Sequence, residues 1–330
     1  MTPTFTEQHP WEEGFAEVFA REIVPRLGPL EKKRRAILAK RKNRLRVVGG
    51  VTVVALAAAW LFAPGWEIAA VISAFVAFGA LAATILVFSF GQDAFSERVT
   101  AEIMPRVADF LGMRFDPKAA ERPDIGAFRD AGLVSQYERA GFSDGLAGHY
   151  RGVDFTACEA SLSKTERDTD SKGRSRTKRV TVFSGVIATF SVPRPAPGVI
   201  VIRRDVGRVL NAVFGFFDSR FKGLEKVEIP HAGFEEAFEV RAENPQAARD
   251  FVTGPFLDAL LALSQGEGEA QPRPVGGAFV GDRFHLTVSG LSLASVGPVS
   301  ESLDAIEPRL HATLADMRFP LRVIDRFYGE

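Results

Sequence analysis

The sequence predicts an α+β protein with an N-terminal transmembrane helical hairpin, flanking amphipathic helices, and a cytosolic antiparallel sheet packed with helices. Three observations lead to this prediction. Two uncharged apolar runs, Val47–Ala63 and Ile68–Phe90, lie four residues apart, and a strongly basic stretch precedes them. After Ile125, strand-like segments follow one another through polar turns rather than through helices. Consecutive strands joined in this way pair antiparallel.

The composition limits the class of protein without indicating a partner. A chain of 330 residues has room for a membrane anchor and one soluble domain. Lysine plus arginine equals aspartate plus glutamate, 41 each, so the net charge favours no ligand. Cys158 is the only cysteine, which excludes an intrachain disulfide and suits a reducing compartment. Residues 1–31 lack the pattern of a cleaved signal peptide, and none is expected.

Residues 1–46 are predicted to form amphipathic and basic juxtamembrane helices, part of which is repeated after the hairpin. Phe15–Leu27 reads FAEVFAREIVPRL, Phe95–Val107 reads FSERVTAEIMPRV, and six of 13 aligned positions are identical. Apolar residues recur at helical spacing in both. We interpret them as helices that pair at the cytoplasmic membrane face. The alternative is two ordinary amphipathic helices of similar composition. Pro25 and Pro105 are expected to end or kink them.

Residues 47–90 are predicted to be a two-helix transmembrane hairpin. A helix needs about 20 apolar residues to cross a hydrocarbon core of about 30 Å. Val47–Ala63 has 17 residues, at the short end, and Ile68–Phe90 has 23. The turn at 64–67 is too short to hold a domain, and the tryptophans at this end suit a membrane interface. The alternative is a pair of buried helices in a soluble core, which fits poorly because neither run has a polar face.

The basic stretch before the first span predicts the orientation. Between residues 32 and 46 there are nine basic residues and no acidic one. Basic residues beside a span stay cytoplasmic, and two spans return the chain to the same side, so both termini are expected there. The stretch is also expected to contact anionic lipid headgroups, which its position favours over nucleic acid. The candidate contacts are Lys32, Lys33, Arg34, Arg35, Lys40, Arg41, Lys42, Arg44 and Arg46.

Residues 91–124 are predicted to be a juxtamembrane helix and a linker, and residues 125–330 a cytosolic α+β domain. The predicted helices are Ile125–Ala140, Pro245–Val252, Pro255–Leu263 and Ser302–Met317. The predicted strands are His149–Leu162, Val180–Val192, Val199–Arg203, Leu224–Ile229 and Phe234–Val240, followed by a hairpin of Phe279–Val280 and Phe284–Val288. Lys164–Arg179 is interpreted as a polar loop, and Gly266–Gly277 as a flexible linker.

Two segments of this domain resemble a bacterial family described only as domain-of-unknown-function family 3137. They are VTVFSGVIATF, Val180–Phe190, and GFEEAFEVRAENPQAARDFVTGPFLDALLAL, Gly233–Leu263. The order of a basic helix, two spans and a sheet-rich domain is also similar. The resemblance implies location in the bacterial inner (plasma) membrane and no established activity. It further implies a LemA-like membrane protein as a partner.

The sequence shows no motif for catalysis, a cofactor or a metal. The phosphate loop, the dinucleotide-binding GxGxxG pattern, HExxH and the GxSxG elbow are absent. Cys158 and His149 are the one nucleophile–base pair to consider. They lie nine residues apart on one predicted strand, so they are expected on opposite faces. A small buried cysteine is the favoured interpretation.

Three hypotheses for function follow. The first is a non-enzymatic, membrane-tethered interaction or scaffolding domain for an unidentified membrane or cytosolic protein. The second is an enzyme with an unrecognised site in the α+β domain. The third is an oligomeric membrane-organising accessory protein, since both spans are rich in small residues that permit close helix packing. The basic 164–179 segment is either a solvated loop or an arm that contacts anionic lipid or an acidic partner.

Overall fold

The computed structural model describes residues 3–89, 91–169, 175–204, 223–231, 233–252, 254–265, 273–294, 297 and 299–327. The chain divides into two compact units. The first is Met1–Arg106 with Val296–His311, and the second is Val107–Ser295 with Ala312–Glu330. The return of 296–311 to the N-terminal helices is not visible in the sequence.

Long helices build the first unit. Helix α1 (Phe15–Val18) continues through one π-helical turn (Phe19–Ile23) into α2 (Val24–Phe62). Helices α3 (Trp66–Ser89) and α4 (Gln92–Phe110) follow, and α4 reaches into the second unit. The predicted hairpin is therefore two long helices joined by a short turn. The last residue of the predicted second span, 90, lies outside the described residues.

Neither predicted proline break ends a helix. Pro25 lies in the first turn of α2, directly after the π turn, where its missing N–H is not required by the regular ladder. Pro105 lies inside α4, which continues to Phe110. At Pro105, burial of the apolar face of α4, with Ile103 and Val107 both 0% exposed, offsets the local cost of the proline.

The apolar faces of the two repeated segments are both buried. Phe15 and Ile23 are 0% exposed, and Val99 and Ile103 are 0% exposed as well. Burial of both faces agrees with the helical periodicity predicted for the repeat. The pairing of these two faces with each other stays a prediction.

The second unit contains the sheet. Within the described residues it has nine strands in the order β1-β2-β3-β4-β9-β8-β5-β7-β6, and every neighbouring pair is antiparallel. The predicted fold class, α+β with an antiparallel sheet, is confirmed. The strands are Arg114–Asp116, Arg139–Tyr150, Val153–Thr169, Ser175–Ser191, Ile200–Arg204, Glu225–Val227, Phe238–Ala242, Val275–Val280 and Arg283–Ser289.

Short helices complete the second unit. They are α5 (Ile125–Asp130), α6 (Phe234–Ala237), α7 (Pro245–Phe251), α8 (Gly254–Gln265), α9 (Glu307–Met317) and α10 (Phe319–Phe327), of which α9 begins in the first unit. Asn244 caps α7, as the sequence predicts, because its Oδ1 accepts the Ala247 amide at 3.1 Å. One core cluster packs between α5 and the sheet and includes Phe128, Cys158 and Ile187.

Several predicted elements are wrong at their boundaries. The helix predicted for Ile125–Ala140 ends at Asp130 because Gly132 takes a left-handed conformation (φ 66°) and the Leu133 amide donates to the Phe128 carbonyl at 2.8 Å. The chain then enters strand β2 at Arg139, which the sequence did not predict.

The predicted strand His149–Leu162 is interrupted by a tight turn. Arg151 and Gly152, with φ of 50° and 80°, form the two central residues of the β2–β3 hairpin. His149 is therefore the last but one residue of β2, and Cys158 belongs to β3.

The predicted polar loop 164–179 is wrong over most of its length. Strand β3 runs to Thr169 and β4 starts at Ser175, so the described residues of this segment form a two-stranded ribbon. Positions 170–174 lie outside the described residues. These strands were not predicted because both of their faces are exposed and carry charged residues, so the sequence shows no apolar alternation.

Three further boundaries also differ from the predictions. Val275–Gly277 belongs to β8 rather than to a linker, and 266–272 lies outside the described residues. The start of the strand predicted for Phe234–Val240 is helix α6. The last predicted helix begins with a 3-10 turn, Leu303–Ala305, and Pro308 lies in the first turn of α9 rather than inside a longer helix.

Candidate lipid-headgroup site

The hairpin helices expose apolar side chains to the surroundings rather than to a core. Only 6% of the most apolar window of each helix is buried. Leu61 and Phe62 are 77% and 83% exposed, and Phe75 and Phe78 are 74% and 73% exposed. Both helices are long and apolar enough to span a membrane, and they are not core helices of this chain.

The two apolar runs of the hairpin do not stop at the same level at the end away from the turn. A Cβ added to Gly91 would lie 3.1 Å from Cγ2 of Ile37, so the end of α3 packs beside the basic part of α2. The first apolar run begins directly after the basic residue Arg46. The second apolar run is six residues longer than the first. The described apolar side chains of α3 continue to Phe88, which lies level with the basic part of α2.

A groove of about 710 Å³ lies at this step, within the first unit. Its basic residues are Arg41, Lys42 and Arg46 on α2. Its other lining residues are Leu38, Leu45, Phe88, Gln92 and Ser300. Phe88 is 58% exposed, and Lys42 and Arg46 are exposed, whereas Arg41 is largely buried. The groove thus joins three cations to an apolar wall.

The nine candidate basic residues do not act alike. Lys32, Lys33, Lys40 and Arg44 are exposed and do not line the groove. Arg34 differs most from the prediction, because it is only 8% exposed and faces the protein. The structure therefore contradicts the predicted headgroup contact of Arg34. Arg35 is largely exposed, but its Nε donates to Glu31 Oε1 at 2.8 Å.

Arg34 and Glu31 form a buried ion pair that holds the returning C-terminal segment. Arg34 donates to both carboxylate oxygens of Glu31, at 2.7 and 2.8 Å. It also donates to the carbonyl oxygens of Val299 and Ser300, at 3.1 and 3.3 Å, while the Leu303 amide donates to Glu31 at 3.3 Å. The Arg34 guanidinium holds the pKa of Glu31 at about 2, well below its usual 4.5.

Two more contacts hold the same segment against the helices. The Val299 amide donates to Oε1 of Gln92 at 3.0 Å, which fixes the groove wall at Ser300. Further along, His311 Nδ1 lies 2.6 Å from Oε1 of the fully buried Glu12. Burial alone would raise the pKa of Glu12, but hydrogen bonds from the Gln8 amide and the His311 ring lower it on balance.

Three residues of the groove could not be predicted from any local sequence pattern. Phe88 belongs to an ordinary apolar run, and Gln92 and Ser300 are single polar residues far apart in the chain. Their meeting depends on the hairpin register and on the return of 296–311, which no local pattern encodes. The basic members Arg41, Lys42 and Arg46 were predicted from charge alone.

A second, polar groove of about 590 Å³ lies on the sheet in the second unit. It is lined by residues that include His149, Asp154, Thr156, Thr189 and Arg283. His149 Nδ1 and Asp154 Oδ1 are 2.7 Å apart, as cross-strand neighbours on β2 and β3. Both side chains are more than 60% exposed. This is the geometry of a surface polar pair at a hairpin end.

Cys158 and His149, considered but not favoured from the sequence as a nucleophile–base pair, do not come together. Cys158 is fully buried in the core cluster on β3, whereas His149 is exposed at the end of β2. Burial raises the pKa of the Cys158 thiol to about 12, so the reactive thiolate is suppressed. No group of three or more potential metal-ligating side chains occurs among the described residues.

Together, an apolar helical hairpin with a basic groove and an antiparallel sheet domain define a candidate membrane-associated α+β protein. A family model described as "Protein of unknown function (DUF3137)" matches residues 181–324. The match confirms the resemblance to this family over residues 181–324, which is less than half of the chain. It lies outside the hairpin and gives no activity.

Other comparisons add little. The crystal structure of the mycobacterial trehalose monomycolate transport factor A, TtfA, is similar over 66% of this chain and 91% of its own, at 12% identity and a TM-score of 0.28. A similarity at that level assigns neither fold nor function to this chain. No curated protein matches the chain significantly.

Proposed function

We propose that the chain is an integral protein of the bacterial inner membrane, anchored by α2 and α3 with both termini in the cytoplasm. The observation that supports this most is the apolar surface of the hairpin. Side chains such as Leu61, Phe62 and Phe75 are more than 70% exposed. Soluble proteins rarely expose so large an apolar surface, because its contact with water is unfavourable. Its contact with hydrocarbon is favourable. The basic stretch of α2 supports the cytoplasmic orientation.

Membrane extraction tests the anchor. The full chain should stay in the membrane fraction after alkaline carbonate washing, which removes peripheral proteins. A variant lacking residues 47–90 should move to the soluble fraction. Release of the full chain by carbonate would show that the hairpin does not span the bilayer.

We further propose that the sheet domain is a non-enzymatic interaction or scaffolding domain. The β3–β4 ribbon supports this proposal, since its described end is exposed on both faces. On β4, Arg176, Lys178 and Arg179 are exposed basic residues that suit an acidic surface on a partner. A LemA-like membrane protein is the first partner to test.

Co-purification tests the scaffolding proposal. The full chain, solubilised in mild detergent, should retain a co-expressed LemA-like protein at a fixed stoichiometry. A triple variant, Arg176→Glu with Lys178→Glu and Arg179→Glu, should lose it. The matched control is charge reversal of Lys226, Arg249 and Arg283, exposed basic residues of the second unit outside the ribbon, which changes the net charge equally. Equal retention by both variants would remove the ribbon as the contact.

One observation favours oligomerisation as a second candidate function. A Cβ added to Gly49, Gly50 or Gly79 would meet nothing within 4 Å, so the hairpin does not use these glycines to close upon itself. Small residues on an open helix surface permit a second helix to approach closely. Cross-linked dimers or larger species in membranes should disappear in Gly49→Leu with Gly50→Leu. Unchanged cross-linking would exclude this surface.

A further inference from the structure

The groove at the base of the hairpin has two kinds of wall. Arg41, Lys42 and Arg46 supply positive charge from α2, while Leu38 and Phe88 supply apolar surface. Because α3 stays apolar as far as Phe88, which lines the same groove, the cations lie beside hydrocarbon-like side chains rather than beyond them. A ligand that fits must be anionic at one end and apolar at the other.

The groove also has uncharged donors in fixed positions. Gln92 Oε1 accepts the Val299 amide at 3.0 Å, which leaves its NH₂ group as the donor of that side chain. Ser300 is held next to it because its carbonyl accepts from the buried Arg34. Hydroxyl and amide groups of this kind suit the polar atoms of a headgroup or of glycerol.

We infer that this groove binds one anionic glycerophospholipid as a discrete site, a step that rests on the membrane placement proposed above. Arg41, Lys42 and Arg46 donate to the phosphodiester oxygens, and Gln92 and Ser300 serve the headgroup. Phe88 and the leucines pack against the first carbons of an acyl chain. The site volume of about 710 Å³ is within the usual range for small-ligand pockets.

The apolar wall favours lipid over other phosphate compounds. Nucleic acid or free phosphate would leave Phe88 and Leu45 without a partner. The lipid tail instead continues onto the exposed apolar surface of the hairpin, where Ile85 and Leu86 are 61% and 70% exposed. Ile85 lies three residues before Phe88 and therefore on the same face of α3, which accommodates headgroup and tail together.

A discrete site and diffuse attraction make different predictions for matched charge changes. Lys42 and Arg46 line the groove, four residues apart on α2. Lys40 and Arg44 have the same spacing at nearly the same depth, are exposed, and do not line it. Diffuse attraction to an anionic surface depends on charge and depth, so it should fall equally in both double variants.

Lipid retention by the full chain in detergent, measured by native mass spectrometry, tests the inference. Phosphatidylglycerol is titrated against each variant, with phosphatidylcholine as the neutral reference. Lys42→Gln with Arg46→Gln should weaken phosphatidylglycerol binding about 30-fold, from about a fivefold loss per charge. Lys40→Gln with Arg44→Gln should change it less than about threefold. Equal losses in both would overturn the discrete site.

Two further measurements address the apolar wall and the source of the phosphate. Phe88→Ala leaves the charge unchanged and should weaken lipid binding about tenfold. Glycerol 3-phosphate, which has the charge without the tail, should not displace the lipid. Full lipid binding by Phe88→Ala, or displacement by glycerol 3-phosphate, would overturn the lipid assignment. Carbonate extraction reports separately on the anchor, so either proposal can fail alone.

Discussion

Glu31→Gln is the substitution that most directly tests how the C-terminal segment is held. Glu31 is 6% exposed and accepts hydrogen bonds from Arg34, Arg35 and the Leu303 amide. The substitution keeps the shape of the side chain and removes its charge. Arg34 then stays buried without the carboxylate of Glu31. Leaving one buried charge unpaired is more destabilising than replacing both partners of the ion pair.

Two arguments give a similar magnitude. The pKa of Glu31 falls from 4.5 to about 2 on folding, which corresponds to about 3 kcal/mol of stability. Removing one partner of a buried ion pair costs roughly 3–5 kcal/mol. Because the folded pKa is depressed, this stability is present above about pH 4.5 and is lost as the pH falls towards 2.

Hydrogen exchange of the peptide that contains Leu303 measures the effect. At pH 7 its amides should exchange about 150-fold faster in Glu31→Gln than in the parent, the factor that corresponds to about 3 kcal/mol. The two proteins should converge near pH 2, after correction for intrinsic exchange rates. Glu17→Gln is the control, since Glu17 pairs with Arg21 on the exposed surface and should change little. Equal exchange at pH 7 would refute the role of the pair.

Three other predictions concern the second unit. Gly185→Ala should destabilise it by about 3 kcal/mol in thermal or denaturant unfolding, because φ is 153° and the new Cβ would lie 2.2 Å from the Val288 carbonyl oxygen; a neutral result would contradict the packing. Burial and Glu159 raise the pKa of Asp144 from 3.8 to about 7, so the folded state loses stability as the pH rises between those values. Asp144→Asn should therefore be more stable than the parent by about 4 kcal/mol at pH 8 but not at about pH 3.5, and equal pH profiles would contradict this. Cys158 should resist maleimide at pH 8 until the chain unfolds, and rapid labelling of the native protein would contradict its burial.

The hairpin and the helix caps could be predicted from the sequence because their determinants are local. Two uncharged runs need no tertiary information to be identified as long helices. Asn244 and the following proline mark the start of α7 in the same way. The strands of β4 and the β8–β9 hairpin likewise follow from period-two patterns and a short turn.

The main wrong predictions have two physical causes. Exposed strands lack an apolar alternation, and a glycine can end a helix within an apparently helical pattern. The ribbon at 164–179 is stabilised by continuous pairing between β3 and β4, although its sequence resembles a solvated loop. Strand β2 was missed because Gly132 ends helix α5 early, a stop signal inside an apparent helical pattern. The local sequence pattern predicts which residues are buried, but it does not predict which strands pair.

The candidate site was only half predictable. Charge and proximity to a span pointed to Arg41, Lys42 and Arg46. The same two criteria also pointed to Arg34, which instead pairs with Glu31 about one helical turn before it. The contacts that bring Ser300 to α2 join residues more than 250 positions apart. Such long-range contacts follow from the fold as a whole.

The side of the membrane on which the hairpin turn lies tests the central claim most directly. Cys158 is buried, so a single added cysteine reports its own position. In spheroplasts, a membrane-impermeant maleimide should label Gly65→Cys, at the turn, without lysis. Glu17→Cys, exposed on the N-terminal helix, should be labelled only after permeabilisation. Labelling of Glu17→Cys in sealed spheroplasts with protection of Gly65→Cys would contradict a two-span anchor with cytoplasmic ends.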